Sequence, residues 1–248
     1  GYTMWELGNY AAAVEYFTKA IRLHPNDPIT YYNRGVVKGK LGQHIDAIED
    51  YDITIRLKPD LVEAYNNRGV MKGKLGQHTA AIADYDIAIR LKPDAAEAYN
   101  NRGDTKNELG QHLSAIADFN TAIRLKPDYA EAYNNRGIAR FGLHQYIAAI
   151  SDCDIAIRLK SDYANAYINR GNARFGLHQY IAAISDYDIA IRLKPDDANA
   201  YYNRGIVKNF LGRTWEAKQD LQKALKLAEK VGDTSLKTEI ESMLKKIR

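Results

Sequence analysis

VEAYNNRGVMKGKLGQHTAAIADYDIAIRLKPDA, residues 62–95, is the stretch whose reading decides the fold. Aligned on its Asn-Arg-Gly triplet, full copies of this 34-residue unit occupy 28–61, 62–95, 96–129, 130–163, 164–197 and 198–231. A partial copy precedes them at 1–27, and a helical tail follows at 232–248. A fixed period of this length predicts a stack of repeated helical units, one solenoid domain whose core runs along its axis. Function must then be sought on surfaces built by repetition.

Counting Val62 as position 1, positions 1 to 14 predict a first helix, because Tyr65, Gly69 and Lys72 recur at helical spacing. Gly76 and Gln77 break the pattern in a short turn. A second helix is predicted from position 18, with Ala81, Tyr85, Ala88 and Ile89 on one stripe. Pro93 stops it, since proline cannot continue a helix and biases the preceding residue away from helical geometry. So short a hairpin cannot bury its own apolar face and must stack on a copy of itself. The small residues say how closely. Position 8 is glycine in every full copy (Gly35, Gly69, Gly103, Gly137, Gly171, Gly205), and position 20 is always alanine. A mid-helix glycine costs roughly 0.5–1 kcal/mol relative to alanine, so its recurrence predicts close backbone approach. Tyrosine at position 4 and an aromatic residue at most copies of position 24 fill the neighbouring gaps. Cys153 takes position 24 in its copy and is expected to be a small buried hydrophobe.

Tyr at 4, Gly at 8 and 15, Ala at 20 and 27, Tyr or Phe at 24 and Pro at 32 resemble the tetratricopeptide repeat (TPR) over nearly the whole chain. The Asn-Arg-Gly and Asp-Tyr-Asp variants are similar to long bacterial arrays of that family. The resemblance implies an all-α, right-handed superhelix of helix pairs, with first helices lining a concave groove. This chain departs from the family at position 7, always arginine where leucine is usual, and at position 11, which is Lys or Arg. Position 23 is aspartate in every full copy. Each Arg at 7 is expected to pair with the Asp at 23; the alternative is that both are independently solvated.

The two ends differ. Gly1 aligns with the middle of a first helix, which suggests a chain cut from something longer. Tyr2 to Glu6 are expected to form at most a truncated helix, leaving an apolar face open to self-association. At the other end the second helix is predicted to reach Val231, and Gly232 and Asp233 restart the chain. Leu236, Ile240, Met243, Leu244 and Ile247 then form one stripe of a capping helix with a polar outer face.

Chemistry is harder to find. Gly35-Val-Val-Lys-Gly39-Lys40-Leu41 is one residue short of a phosphate loop, lies mid-helix and lacks the Ser or Thr for magnesium. The recurring histidines (His44, His78, His112; His144, His178) fall on successive hairpins, not around one metal. No catalytic residue, metal site or cofactor is expected. The net charge of +4 sits on 35 basic and 31 acidic residues finely interspersed, unlike a nucleic-acid footprint. Nothing approaches the run of about 18 apolar residues that spans a bilayer. A single cysteine permits no internal disulfide, and a cytoplasmic location is expected.

The groove is more informative. Position 6 is asparagine throughout: Asn33, Asn67, Asn101, Asn135, Asn169 and Asn203. An amide both donates and accepts, so a row of them can hold an extended peptide by its backbone. The resemblance implies the same, since peptide-binding members of the family use an asparagine ladder at these positions. The alternative is that the amides merely solvate the wall. Beside the row, Lys40 and Lys74 with Glu63 and Glu97 suit mixed or acidic partner side chains. Ile138, Phe141, Ile168, Phe175, Tyr202, Ile206 and Phe210 would offer apolar side pockets, unless they pack on neighbouring first helices. The lysines that chaperone-tail-binding relatives carry at positions 2 and 5 are absent. The expectation is a non-enzymatic scaffold holding a protein or peptide partner. The alternatives are the recognition region of a larger enzyme and a self-assembling solenoid.

Overall fold

The computed structural model describes residues 9–247, so the truncated helix expected over Tyr2 to Glu6 lies outside the described residues. These divide into two compact units, with the boundary in the chain between Pro127 and Asp128. The first contains α1 (Tyr10–Leu23), α2 (Pro28–Lys40), α3 (His44–Leu57), α4 (Val62–Lys74), α5 (His78–Leu91), α6 (Ala96–Glu108) and α7 (His112–Leu125). The second contains α8 (Ala130–Gly142), α9 (Tyr146–Leu159), α10 (Ala164–Gly176), α11 (Tyr180–Leu193), α12 (Ala198–Phe210), α13 (Thr214–Val231) and α14 (Thr234–Lys246). Among the described residues there is no strand, and within each unit successive helices pack pairwise as an all-α repeat solenoid requires. The second helices begin at position 17, one residue earlier than the pattern alone placed them.

One repeat explains the rest. In α4 and α5, Ala64, Ala81 and Ala88 are fully buried, and the Tyr85 ring lies directly on Gly69. A Cβ at Gly69 would stand 2.7 Å from Tyr85 Cε1, so only glycine admits the ring at this depth. The same relation joins Gly35 to Tyr51, Gly103 to Phe119 and Gly171 to Tyr187. Where Cys153 replaces the ring, its Sγ would be 3.2 Å from a Cβ on Gly137. Each buried ring stabilises the stack by about 1.5–3 kcal/mol.

A polar clamp is built over this core. Arg68 donates to both oxygens of Asp84, from Nε at 2.9 Å and Nη2 at 2.6 Å. Lys72 Nζ reaches the same carboxylate at 2.8 Å, and Tyr65 lies beneath the guanidinium at 5.5 Å. The expected Arg–Asp pairing is present in all six full copies, Arg34–Asp50 to Arg204–Asp220. The sequence did not announce a second link: Arg68 Nη1 also donates to Asp52 of the preceding copy at 2.6 Å. Arg102, Arg170 and Arg204 reach back to Asp86, Asp154 and Asp188 in the same way. Burial lowers the pKa of these arginines, but the hydrogen bonds and charge of their two aspartates outweigh it, and the net shift is upward.

Position 15 closes the hairpin in a left-handed conformation. Gly42, Gly76, Gly110 and Gly212 occupy it at φ 73–76°. His144 and His178 hold it at φ 58° and 60°, each with Nδ1 within 2.7 Å of the Oη of Tyr146 or Tyr180. At the C-terminus, Gly232 at φ 74° ends α13, and Asp233 caps α14 by accepting from the Leu236 N–H at 3.0 Å. Leu236 and Ile240 of α14 then bury against Leu221, Ala224 and Ala228. No helix among the described residues is long and apolar enough to cross a membrane.

Candidate functional site

The first helices of each unit present a common face, and the position-6 asparagines stand along it. Asn33 is buried, whereas Asn67, Asn101, Asn135, Asn169 and Asn203 are half-buried. Several also bridge to the preceding copy. Asn67 Nδ2 donates to Tyr32 Oη at 3.0 Å, Asn101 to Asn66 Oδ1 at 3.1 Å, and Asn169 to Asn134 Oδ1 at 2.9 Å. In each case the acceptor is at position 5 of the repeat before. Ile168 occupies that position in its own copy, so Asn203 turns instead to Asn172 Oδ1, 3.1 Å away. An amide has two N–H groups and two acceptor lone pairs, so one bridge leaves further capacity toward the open face.

Hollows open along this face in both units. In the first unit, one of about 330 Å³ is walled by Tyr32, Asn66 and Asn67 together with Glu63, Glu97, Lys92, Asp94 and Lys126. Another, of about 280 Å³, brings Lys74 and Asn101 beside Asp104, Thr105 and Glu108. Asp104 is exposed to solvent on the open side yet surrounded by protein elsewhere. Burial, and secondarily the charge of Glu108, push its pKa up to about 6. Lys40 is exposed, with Nζ 5.5 Å from the centre of the Tyr10 ring.

The second unit is of a different character. A hollow of about 390 Å³ is walled by Asn134, Asn135, Asn165, Asn169, Asn172, Asn199 and Asn203 with Ile138 and Ile168. Next to it, sharing Asn172 and Asn203, an apolar pocket of about 250 Å³ lies between Phe141, Phe175, Ile206 and Val207 over Tyr187. Phe210 is 61% exposed and packs edge-on against Phe175, with ring centroids 6.1 Å apart. Ile168 is mostly in the core, 8% exposed. Tyr202 stands apart from the other apolar side chains and lines a separate hollow with Glu239 and Met243 of α14. Burial, then Glu239, raise its pKa. The structure thus gathers Phe141, Phe175, Ile206 and Asn203 into one pocket and places Ile138 and Ile168 in its neighbour. Asn172, Asn134, Asn165 and Asn199 join these walls without having been among the residues expected from the sequence. The doublets Asn66-Asn67, Asn100-Asn101 and Asn134-Asn135 were the visible signal that positions 5 and 6 act together.

Comparison with known proteins agrees with this architecture. The family described as TPR repeat matches residues 1–42, 73–110, 103–143 and 177–208, and a tetratricopeptide repeat profile matches 198–231. Among solved structures, the Cut9–Hcn1 hetero-tetramer superposes with a TM-score of 0.84 at 20% identity over 98% of this chain. This chain spans 47% of that one, about half its length. A tetratricopeptide repeat protein from Parabacteroides merdae ATCC 43184 gives 0.78 at 21% identity, over 98% of this chain and 94% of that one. MamA gives 0.57 at 30% identity, over 66% of this chain and 96% of that one. No match was found among curated proteins.

Proposed function

Because the chain belongs to the tetratricopeptide repeat family, we propose that it is a non-enzymatic interaction scaffold holding an extended partner segment against its first helices. The reading rests on one observation. In residues 128–248 an amide-walled hollow containing Asn135, Asn169 and Asn203 runs directly into an apolar pocket formed by Phe141, Phe175 and Ile206. Amides satisfy the backbone of an extended peptide whatever its sequence, and the pocket takes a side chain, which is the division of labour that peptide recognition needs. The first unit, with Lys74, Glu63, Glu97 and Asp104 on its walls, would receive polar or charged side chains.

The test is selection of binders from a displayed peptide library on the full chain, followed by affinity measurement with Asn101, Asn135 and Asn169 changed to alanine. Loss of binding by about tenfold or more, which corresponds to about 1.4 kcal/mol, is the expected result. Because Asn101 and Asn169 also bridge repeats, the melting temperature of the variant is read alongside. A folded variant that binds the selected peptides unchanged would move the binding surface elsewhere.

A further inference from the structure

The amide row breaks step at Ile168, and there one side chain is held by two donors. Denied an acceptor at position 5, Asn203 donates to Asn172 Oδ1 at 3.1 Å. Tyr187 Oη donates to the same oxygen at 2.8 Å. Two donors fill the two lone pairs of that carbonyl, and a flip of the Asn172 amide would set its NH₂ against that of Asn203 and lose that bond. Its NH₂ group, with two N–H donors, makes no hydrogen bond among the described residues. The side chain lies on the seam between the amide-walled hollow and the apolar pocket.

Both walls are almost free of charge. Apart from tyrosines, the one ionisable side chain on either is Asp197. That residue is 8% exposed and already engaged, accepting from the Asn199 N–H at 3.1 Å and pairing with Lys194 at 3.2 Å. A charged partner side chain entering here would shed water and find no counter-charge. A main-chain carbonyl beside an apolar side chain would instead find a fixed donor and a fitting pocket.

Resting on the function proposed above, we infer that residues 128–248 select an uncharged, extended segment, and that Asn172 is the specificity-determining residue. Its NH₂ donates to a main-chain carbonyl oxygen of the segment, and the adjacent apolar side chain seats between Phe141, Phe175 and Ile206. With no ion pair formed, the affinity is insensitive to ionic strength.

The test uses the full chain and short N-acetylated, C-amidated peptides of Gly, Ser and Gln carrying Leu, Phe, Lys or Glu at one central position. The Leu and Phe peptides are expected to bind equally at low and high salt, and the Lys and Glu peptides at least about tenfold more weakly. Asn172→Asp keeps the oxygen that Tyr187 and Asn203 need and removes the donor. It is expected to weaken the Leu peptide about tenfold with little change in melting temperature. If that variant does not fold, Tyr187→Phe keeps the ring over Gly171 and removes one of the two bonds that hold the amide in place. A loss of about threefold is then expected. Lys or Glu peptides binding as well as Leu, or a folded variant at Asn172 or Tyr187 binding as well as the parent, overturns this inference and leaves the groove reading standing. Failure of every peptide to bind the parent chain likewise overturns this inference, whereas failure to select any binder from the displayed library overturns the groove reading itself.

Discussion

Arg102 and Asp118, on the two helices of one repeat, face each other through a two-point clasp: Nε to Oδ2 at 2.9 Å and Nη2 to Oδ1 at 2.5 Å. Asp118 is nearly buried, and Lys106 Nζ lies 2.7 Å from its Oδ2. Removing Arg102 leaves a buried carboxylate half-neutralised, a loss of about 3 kcal/mol by the measure of broken buried pairs. Replacing both residues by apolar ones removes the uncompensated charge. A double-mutant cycle on Arg102→Met and Asp118→Leu, followed by urea unfolding, is expected to give a coupling of about 1–3 kcal/mol. Additive losses would mean that the two are solvated independently.

The glycine under each ring makes a prediction opposite in sign to helix propensity. On propensity alone Gly103→Ala gains about 1 kcal/mol. Its new Cβ would lie 2.8 Å from Phe119 Cε1, inside contact distance. The overpacked core is expected to lose about 1–3 kcal/mol. Adding Phe119→Leu should recover part of that loss in thermal melts, because the shorter side chain vacates the contact. A stabilised single variant would contradict the close approach.

Asp104 carries a pH signature. Its pKa rises from 3.8 to about 6, chiefly through burial and then through Glu108. A raised folded-state pKa favours the protonated folded protein. Its stabilising contribution is therefore complete below about pH 4 and is lost as the pH climbs through 6. Asp104→Asn should raise the melting temperature at pH 8, with the advantage fading between pH 6 and 4. Solvent on the open side screens the charge, so the shift should be small. An advantage that instead grows on acidification would reverse the assignment.

Cys153 should be silent in the native state. Burial pushes its thiol up to about 12, and the side chain is wholly enclosed. Thiolate is the reactive species, so alkylation at pH 8 should be slow, accelerating only as denaturant opens the fold. Rapid labelling without denaturant would show that the α8–α9 hairpin opens readily.

The sequence by itself determined the period, the helix pairs and the clasp within each repeat, because those depend on spacing along one chain. Tyr65, Gly69, Ala81 and Tyr85 recur at helical intervals, and the Arg at position 7 always stands sixteen positions before the Asp at position 23, as Arg68 does before Asp84. The tertiary structure decided what repeats do to one another. Arg68 reaches back to Asp52, Asn101 leans on Asn66, and Ile168 forces Asn203 onto Asn172. Ile168 sinks into the core while Phe210 stays open, and Tyr202 sides with α14. A side chain's own repeat fixes where it starts, but its partner is whatever the adjacent copy places within about 3 Å of it, and spacing along the chain carries no such information.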